Sequence, residues 1–186
     1  MSVNPAKNNR LTMIRPSLEA IPDFRLPAGF KLRWHAPGDE ALWLEIHLKA
    51  ERFNPISPEL FQQQFGTDAE QLKRRQCYLL SPDEKAIGTA TAWYGKEPEV
   101  KEFGRVHWVA LLPEHQGRGL SKPLLSAVCN RMRELGHTQA YLTTSVERKA
   151  AIGLYLRFGF KPWIRNEVER AIWARLPGAE QVSVPR

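Results

Sequence analysis

The stretch HWVALLPEHQGRGLSKPLL, residues 107–125, decides how the rest of the chain reads. An apolar strand runs into Pro113, crosses a polar turn holding Gln116, Gly117, Arg118 and Gly119, and opens an amphipathic helix. The first turn of a helix leaves N–H groups without partners and carries the positive end of the macrodipole, so a phosphate fits there. Gly117 and Gly119 lack the Cβ atoms that would hold an oxyanion off the backbone, and Arg118 and Lys122 add positive charge. A glycine pair equally suits a plain strand-to-helix turn, and GRGLSK has neither the Walker spacing nor the three-glycine dinucleotide fingerprint.

Outward from this stretch the chain reads as alternating short elements. Residues 1–29, punctuated by Pro5, Pro16, Pro22 and Pro27, read as a loose N-terminal extension and a surface strap with no part in function. Residues 30–35 alternate as a first strand, and Pro37-Gly38-Asp39 starts a helix whose apolar stripe is Leu42, Ile46, Ala50 and Phe53. Asn54-Pro55 and Ser57-Pro58 break the chain before a short helix bearing Leu60, Phe61 and Phe65, and Thr67 or Asp68 caps another. This helical pair is the expected place of substrate selection, although Phe61 and Phe65 at i,i+4 spacing equally suit a core. Residues 76–80 and 86–94 form a hairpin, and 95–104 a charged loop. The helix of the opening stretch carries Leu120, Leu124, Leu125, Val128 and Met132 on one stripe to Gly136, and Pro123 is tolerated in its first turn. A strand over 140–143 and a helix over 149–158, closed by Gly159, follow. Two last strands, 161–164 and 167–176, precede a mobile tail over 177–186.

A chain of 186 residues, 42% hydrophobic and 25% charged, is expected to be one soluble globular domain. No long apolar run or basic leader suggests a membrane span or secretory signal, so a cytoplasmic location is expected. Cys77 and Cys129 have no metal-ligand spacing and read as ordinary buried thiols; no metal site is expected. The net charge of +7 is unevenly spread. Residues 116–186 hold twelve Lys/Arg against five Asp/Glu, while residues 36–66 hold two against five. Such a split suits a polyanion on one face and a cation on another. The basic residues are dispersed and not interleaved with aromatics, which argues against nucleic-acid binding.

Taken with AAIGLYLRFGF, residues 150–160, the opening stretch resembles the GNAT superfamily of acyl-coenzyme A dependent N-acetyltransferases. The family's pyrophosphate loop stands here as Gln116, Gly117-Arg118, Gly119, Leu120 and Ser121. Its second motif stands as Ala151-Ile152, Leu154-Tyr155 and Gly159-Phe160, with Arg148 where the motif has Asn. The resemblance implies an α/β (α+β) fold over residues 30–176: one GNAT-like domain with a central mixed, mostly antiparallel twisted sheet of about seven strands flanked by helices.

The resemblance also implies a site. Backbone N–H groups near Val109 and Leu111, at a strand bulge, bind the thioester; Gln116 to Ser121, with Arg148 and Ala151, hold the cofactor. Tyr155 is the general acid, an unperturbed phenol of pKa about 10 being protonated at neutral pH. Where many relatives carry a Glu base this chain has Arg105, and His107, two residues on with the same strand parity, is the possible base. Glu45, Glu51 and Glu102 are alternatives. An unperturbed imidazole near 6.5 matches an α-amino group better than a lysine. The implied function is transfer of an acetyl group from acetyl-coenzyme A to a primary, cationic amine by direct attack in a ternary complex, in a monomer or homodimer. The alternative is a catalytically silent acyl-coenzyme A-binding module acting as sensor or interaction partner.

Overall fold

A ladder of paired strands that comes apart partway along its middle sets the architecture. The computed structural model describes residues 9–95 and 98–176. Its strands are β1 (Arg10–Arg15), β2 (Lys31–Trp34), β3 (Gln76–Leu80), β4 (Ala86–Tyr94), β5 (Gly104–Leu111), β6 (Ala140–Ser145) and β7 (Lys161–Pro162). The helices are α1 (Glu40–Ala50), α2 (Leu60–Phe65), α3 (Ala69–Arg75), α4 (Ser121–Glu134), α5 (Lys149–Arg157) and α6 (Glu167–Trp173). The sheet order is β2-β3-β4-β5-β6-β1-β7. Among the described residues the strands pair antiparallel except β5 with β6. The mixed, mostly antiparallel seven-stranded sheet expected from the sequence is thus the observed one.

β5 and β6 pair only through Gly104 with Ala140 and Arg105 with Tyr141, although β5 continues to Leu111 and β6 to Ser145. Among the described residues, the two central strands therefore part company after two pairs. On the other side of β5 the register against β4 slips: Thr91 faces His107 and Thr89 faces Ala110. Trp108 and Val109 together oppose Ala90, a bulge that interrupts the ladder, and Trp108 adopts the left-handed backbone with φ 48°.

The core lies on both faces of the sheet. α4 buries Leu124, Leu125, Val128 and Met132, and Pro123 falls third in the helix, within the first turn whose N–H groups have no partner to lose. Across the sheet, Trp43 of α1 meets Phe61, Phe65 and Trp108 edge to face at 5.3–5.7 Å. Phe61 and Phe65 are thus core residues. The buried side of α1 is Trp43, Ile46 and His47, one residue round from the expected stripe, and Phe53 lies beyond the helix and is exposed. Asp68, not Thr67, caps α3 by accepting from the N–H groups of Glu70 and Gln71.

The N-terminal segment departs from expectation. Arg10–Arg15 is a strand that fills the sheet between β6 and β7, burying Leu11 and Met13. Arg15 is buried as well: its guanidinium donates to the carbonyls of Phe158, Glu19 and Ala20, closing the C-terminal end of α5. The segment after it is a strap over α4. There the Ser126 hydroxyl donates to the Pro22 carbonyl at 2.6 Å and accepts from the Phe24 N–H at 3.2 Å.

The expected last strand is α6 instead, capped by Asn166, whose side chain accepts from the Glu169 N–H, and burying Ile172 and Trp173. The charged loop 95–104 contains a 3₁₀ turn over Pro98–Val100, with Val100 buried. Residues 96 and 97, the start of the extension and the tail over 177–186 lie outside the described residues. No described helix is long and apolar enough to cross a membrane.

Candidate active site

Where β5 and β6 separate, a cavity of about 440 Å³ opens between them. Arg105 to Val109 form one wall, Thr143 to Ser145 the other, and Tyr155 of α5 lines the same space. Burial pushes the Tyr155 phenol up to about 12, against a smaller downward pull from Arg148. Arg105 and His107 both reach the cavity. His107 is buried, with Nε2 3.1 Å from Gln64 Oε1 and the Phe65 ring edge-on at 5.5 Å. The Trp108 indole Nε1–H donates to the same Gln64 oxygen at 3.0 Å. Val109 lines the cavity, whereas Leu111 lies past it, paired with Gly88, its carbonyl accepting from Gln116 Nε2 at 2.8 Å.

That last bond ties the end of β5 to the glycine turn. Gly117 (φ 73°) and Gly119 (φ 78°) are both left-handed, and a Cβ added at either would meet nothing within 4 Å. The turn is therefore an open cradle whose backbone conformation itself calls for glycine. It delivers Leu120 and Ser121 to the start of α4, where no side chain caps the helix. Arg118 is exposed, 3.2 Å from His115 Nδ1 and stacked over Phe30. Such an open turn, followed by a helix start that no side chain caps, suits a pyrophosphate.

Arg148 stands at the start of α5 and donates to Glu51 Oε1 at 2.6 Å while lying over the Phe53 ring. Its side chain thus joins the end of α1 to α5 across the cavity wall. Burial raises the Glu51 carboxyl, but Arg148 and the N–H groups of Phe53 and Asn54 outweigh it and leave the group below its ordinary range. A carboxylate so well supplied with donors is a poor proton acceptor. Glu45 is exposed and ion-paired to Lys49, and Glu102 does not line the cavity. Ala151 is half-buried on α5. Cys77 and Cys129 are buried free thiols, pushed up to about 12 by burial, and take no part.

Several lining residues escaped the sequence. Asn9 and Arg10 reach the cavity from a segment read as functionally empty. Gln64 shares a helix face with Phe61 by its i,i+3 placement, a signal present in LFQQQF but hidden among three glutamines.

Comparison with known proteins agrees with this fold. The mycothiol acetyltransferase of Pseudarthrobacter chlorophenolicus is 30% identical over 151 residues, which is 77% of this chain and 46% of that protein. That of Streptomyces coelicolor is 29% identical over 143 residues, 75% of this chain and 45% of that protein. The chain spans about half the length of the curated relatives it matches. Among solved structures, a GCN5-related N-acetyltransferase from Sphaerobacter thermophilus shares the fold with a TM-score of 0.69 at 21% identity, covering 83% of this chain and 48% of that one. The ribosomal-protein-S18-alanine N-acetyltransferase from Escherichia coli does so at 0.59 and 20%, covering 73% and 79%. The profile of the acetyltransferase (GNAT) family matches residues 41–160, from α1 through the glycine cradle to Phe160, and the chain belongs to that family.

Proposed function

We propose that the protein is an N-acetyltransferase that moves an acetyl group from acetyl-coenzyme A, the donor used by acetyltransferases of its family, to a primary amine by direct attack in a ternary complex. The observation that carries this reading is the parting of β5 from β6. The strand that supplies the bulge at Trp108 and Val109 runs on into the glycine cradle, and the cavity it borders also holds Tyr155. A pyrophosphate in the cradle and a thioester at the bulge are served by one continuous stretch of chain.

When bound, acetyl-coenzyme A supplies a thioester whose carbonyl carbon forms a bond to nitrogen as its bond to sulfur breaks. The chain's own residues supply the rest. The main chain at Val109, where the ladder is interrupted, offers its N–H to the carbonyl oxygen as negative charge develops there. His107 takes a proton from the attacking amine, and Tyr155, held protonated at neutral pH, returns one to the departing sulfur. Main-chain groups from Gly117 to Ser121 hold the pyrophosphate.

The acceptor is a primary amine, and three of the five acidic residues of 36–66 are paired within the chain: Asp39 with Arg33, Glu45 with Lys49 and Glu51 with Arg148. We assign the protein to the cytoplasm, where free thiols such as Cys77 and Cys129 persist. Thiol release from acetyl-coenzyme A, assayed against pooled amines that include peptide N-termini, lysines and small amines, is expected to rise above hydrolysis with at least one pool, accompanied by an acetylated product. Saturable coenzyme A binding with no acetylated amine in any pool would overturn the proposal in favour of a silent binder.

A further inference from the structure

Gln64 sits on α2 where that helix borders the cleft, and its Oε1 lies 3.0 Å from Trp108 Nε1 and 3.1 Å from His107 Nε2. An indole N–H can only donate, so the amide atom facing it is the carbonyl oxygen and not the NH₂. That oxygen can only accept, with one lone pair for each neighbour, so His107 must meet it with a hydrogen on Nε2. From this shared contact we infer that Gln64 is a positioning residue: it keeps neutral His107 in the Nε2–H tautomer, with the lone pair on Nδ1, while pinning Trp108 at the strand bulge.

The inference deepens, and rests on, the reading of His107 as the proton acceptor. A base must present a lone pair, and the hydrogen bond made by one ring nitrogen decides that the other presents it. Phe65, edge-on to the imidazole, narrows the space in which the ring could turn. Trp108 is the left-handed residue of the bulge, at φ 48°, so the oxygen that fixes the imidazole also holds the backbone that faces the thioester. Acid–base chemistry and oxyanion stabilisation are thereby tied to one side chain on one helix. The charged and titratable groups around the same cavity are Arg105 on β5, Arg10 on β1, Glu51 after α1, Glu147 and Arg148 before α5, and Tyr155 on α5.

Two variants separate the roles. Gln64→Glu keeps an oxygen for both neighbours and adds a negative charge beside the ring. Gln64→Leu removes the acceptor at similar volume. Nitrogen-resolved NMR of the neutral wild-type protein is expected to show a pyrrole-type Nε2 and a pyridine-type Nδ1 for His107. In Gln64→Glu the tautomer should persist while the His107 titration midpoint rises by about one unit, the acidic limb of kcat/KM moving with it. Gln64→Leu should show mixed tautomers and a kcat lower by about a hundredfold, the lower end of a general base's contribution. Should Gln64→Leu fail to fold, the tautomer of the wild-type protein still decides the matter. A pyridine-type Nε2 in the wild type, or a tautomer unchanged in Gln64→Leu, overturns the inference. A limb that stays fixed while the midpoint moves overturns His107 as proton acceptor and leaves the tautomer assignment supported, so the two failures are distinguishable.

Discussion

Glu51 ends α1 with a side chain only 6% exposed, yet it sits low in its titration range because Arg148 and two backbone N–H groups surround it. Its stabilising contribution is therefore present above the ordinary carboxylate range and is lost as pH falls through its depressed value. Arg148→Met removes the ion-pair partner and is expected to cost about 1–2 kcal/mol at pH 7. That is less than the ~3–5 kcal/mol of a fully buried pair, because the Arg148 side chain is 25% exposed. Urea denaturation from pH 7 towards pH 3 should show the gap between variant and wild type closing as both carboxyls take up a proton. A gap independent of pH would mean that Arg148 acts by packing on Phe53 alone. Neither this pair nor Gln64 was legible as a partnership. Residues 51 and 148 are 97 positions apart, as are no neighbours that periodicity can relate, whereas Tyr155 and the two glycines carry their meaning within a few residues of themselves.

At the scale of elements, the cradle is a turn whose two ends are fixed by different means: Gln116 bonds back to β5, and α4 begins forward of it. Gly119 and Gly136 bracket α4, both are left-handed, and both have open space where a Cβ would stand. They make a matched pair. Gly119→Ala and Gly136→Ala should each lower stability by about 1 kcal/mol through backbone strain. Only Gly119→Ala should also weaken coenzyme A, by about tenfold, because only there does the new methyl stand against the anion; equal affinities by calorimetric titration would remove the pyrophosphate from the cradle.

Elements were legible where they signal locally. The hairpin of β3 and β4 and the start of α4 show themselves in turn residues and apolar stripes. Two elements did not. β1 is six residues with an arginine at each end, and the reason Arg15 can be buried lies in carbonyls of residues 19, 20 and 158. In α6 the alternation of 167–176 resembles a strand, but Asn166 followed three residues later by Glu169 is a helix-start signal, and that capping bond forms.

Across the whole molecule, one sheet carries out two tasks that need opposite properties. Its outer strands, β2-β3-β4 on one side and β6-β1-β7 on the other, pair as ladders that anchor α4 and close α5. Its centre is open, and the bulge and Tyr155 border that opening, because β5 and β6 pair only at their first two residues. The net charge of +7, by contrast, says little about function. Three of the five acidic residues of 36–66 are held in ion pairs, and the cavity lining mixes Arg10, Arg105 and Arg148 with Glu51 and Glu147.

Whether this opening transfers an acyl group or only holds one is the central question, and Tyr155→Phe puts it most directly. The phenol oxygen is the sole atom removed, so cavity and cradle stay intact. Turnover measured beside coenzyme A affinity should show kcat lower by about a hundredfold with the dissociation constant within about twofold of wild type. Turnover undiminished by the loss of that hydroxyl would contradict the account.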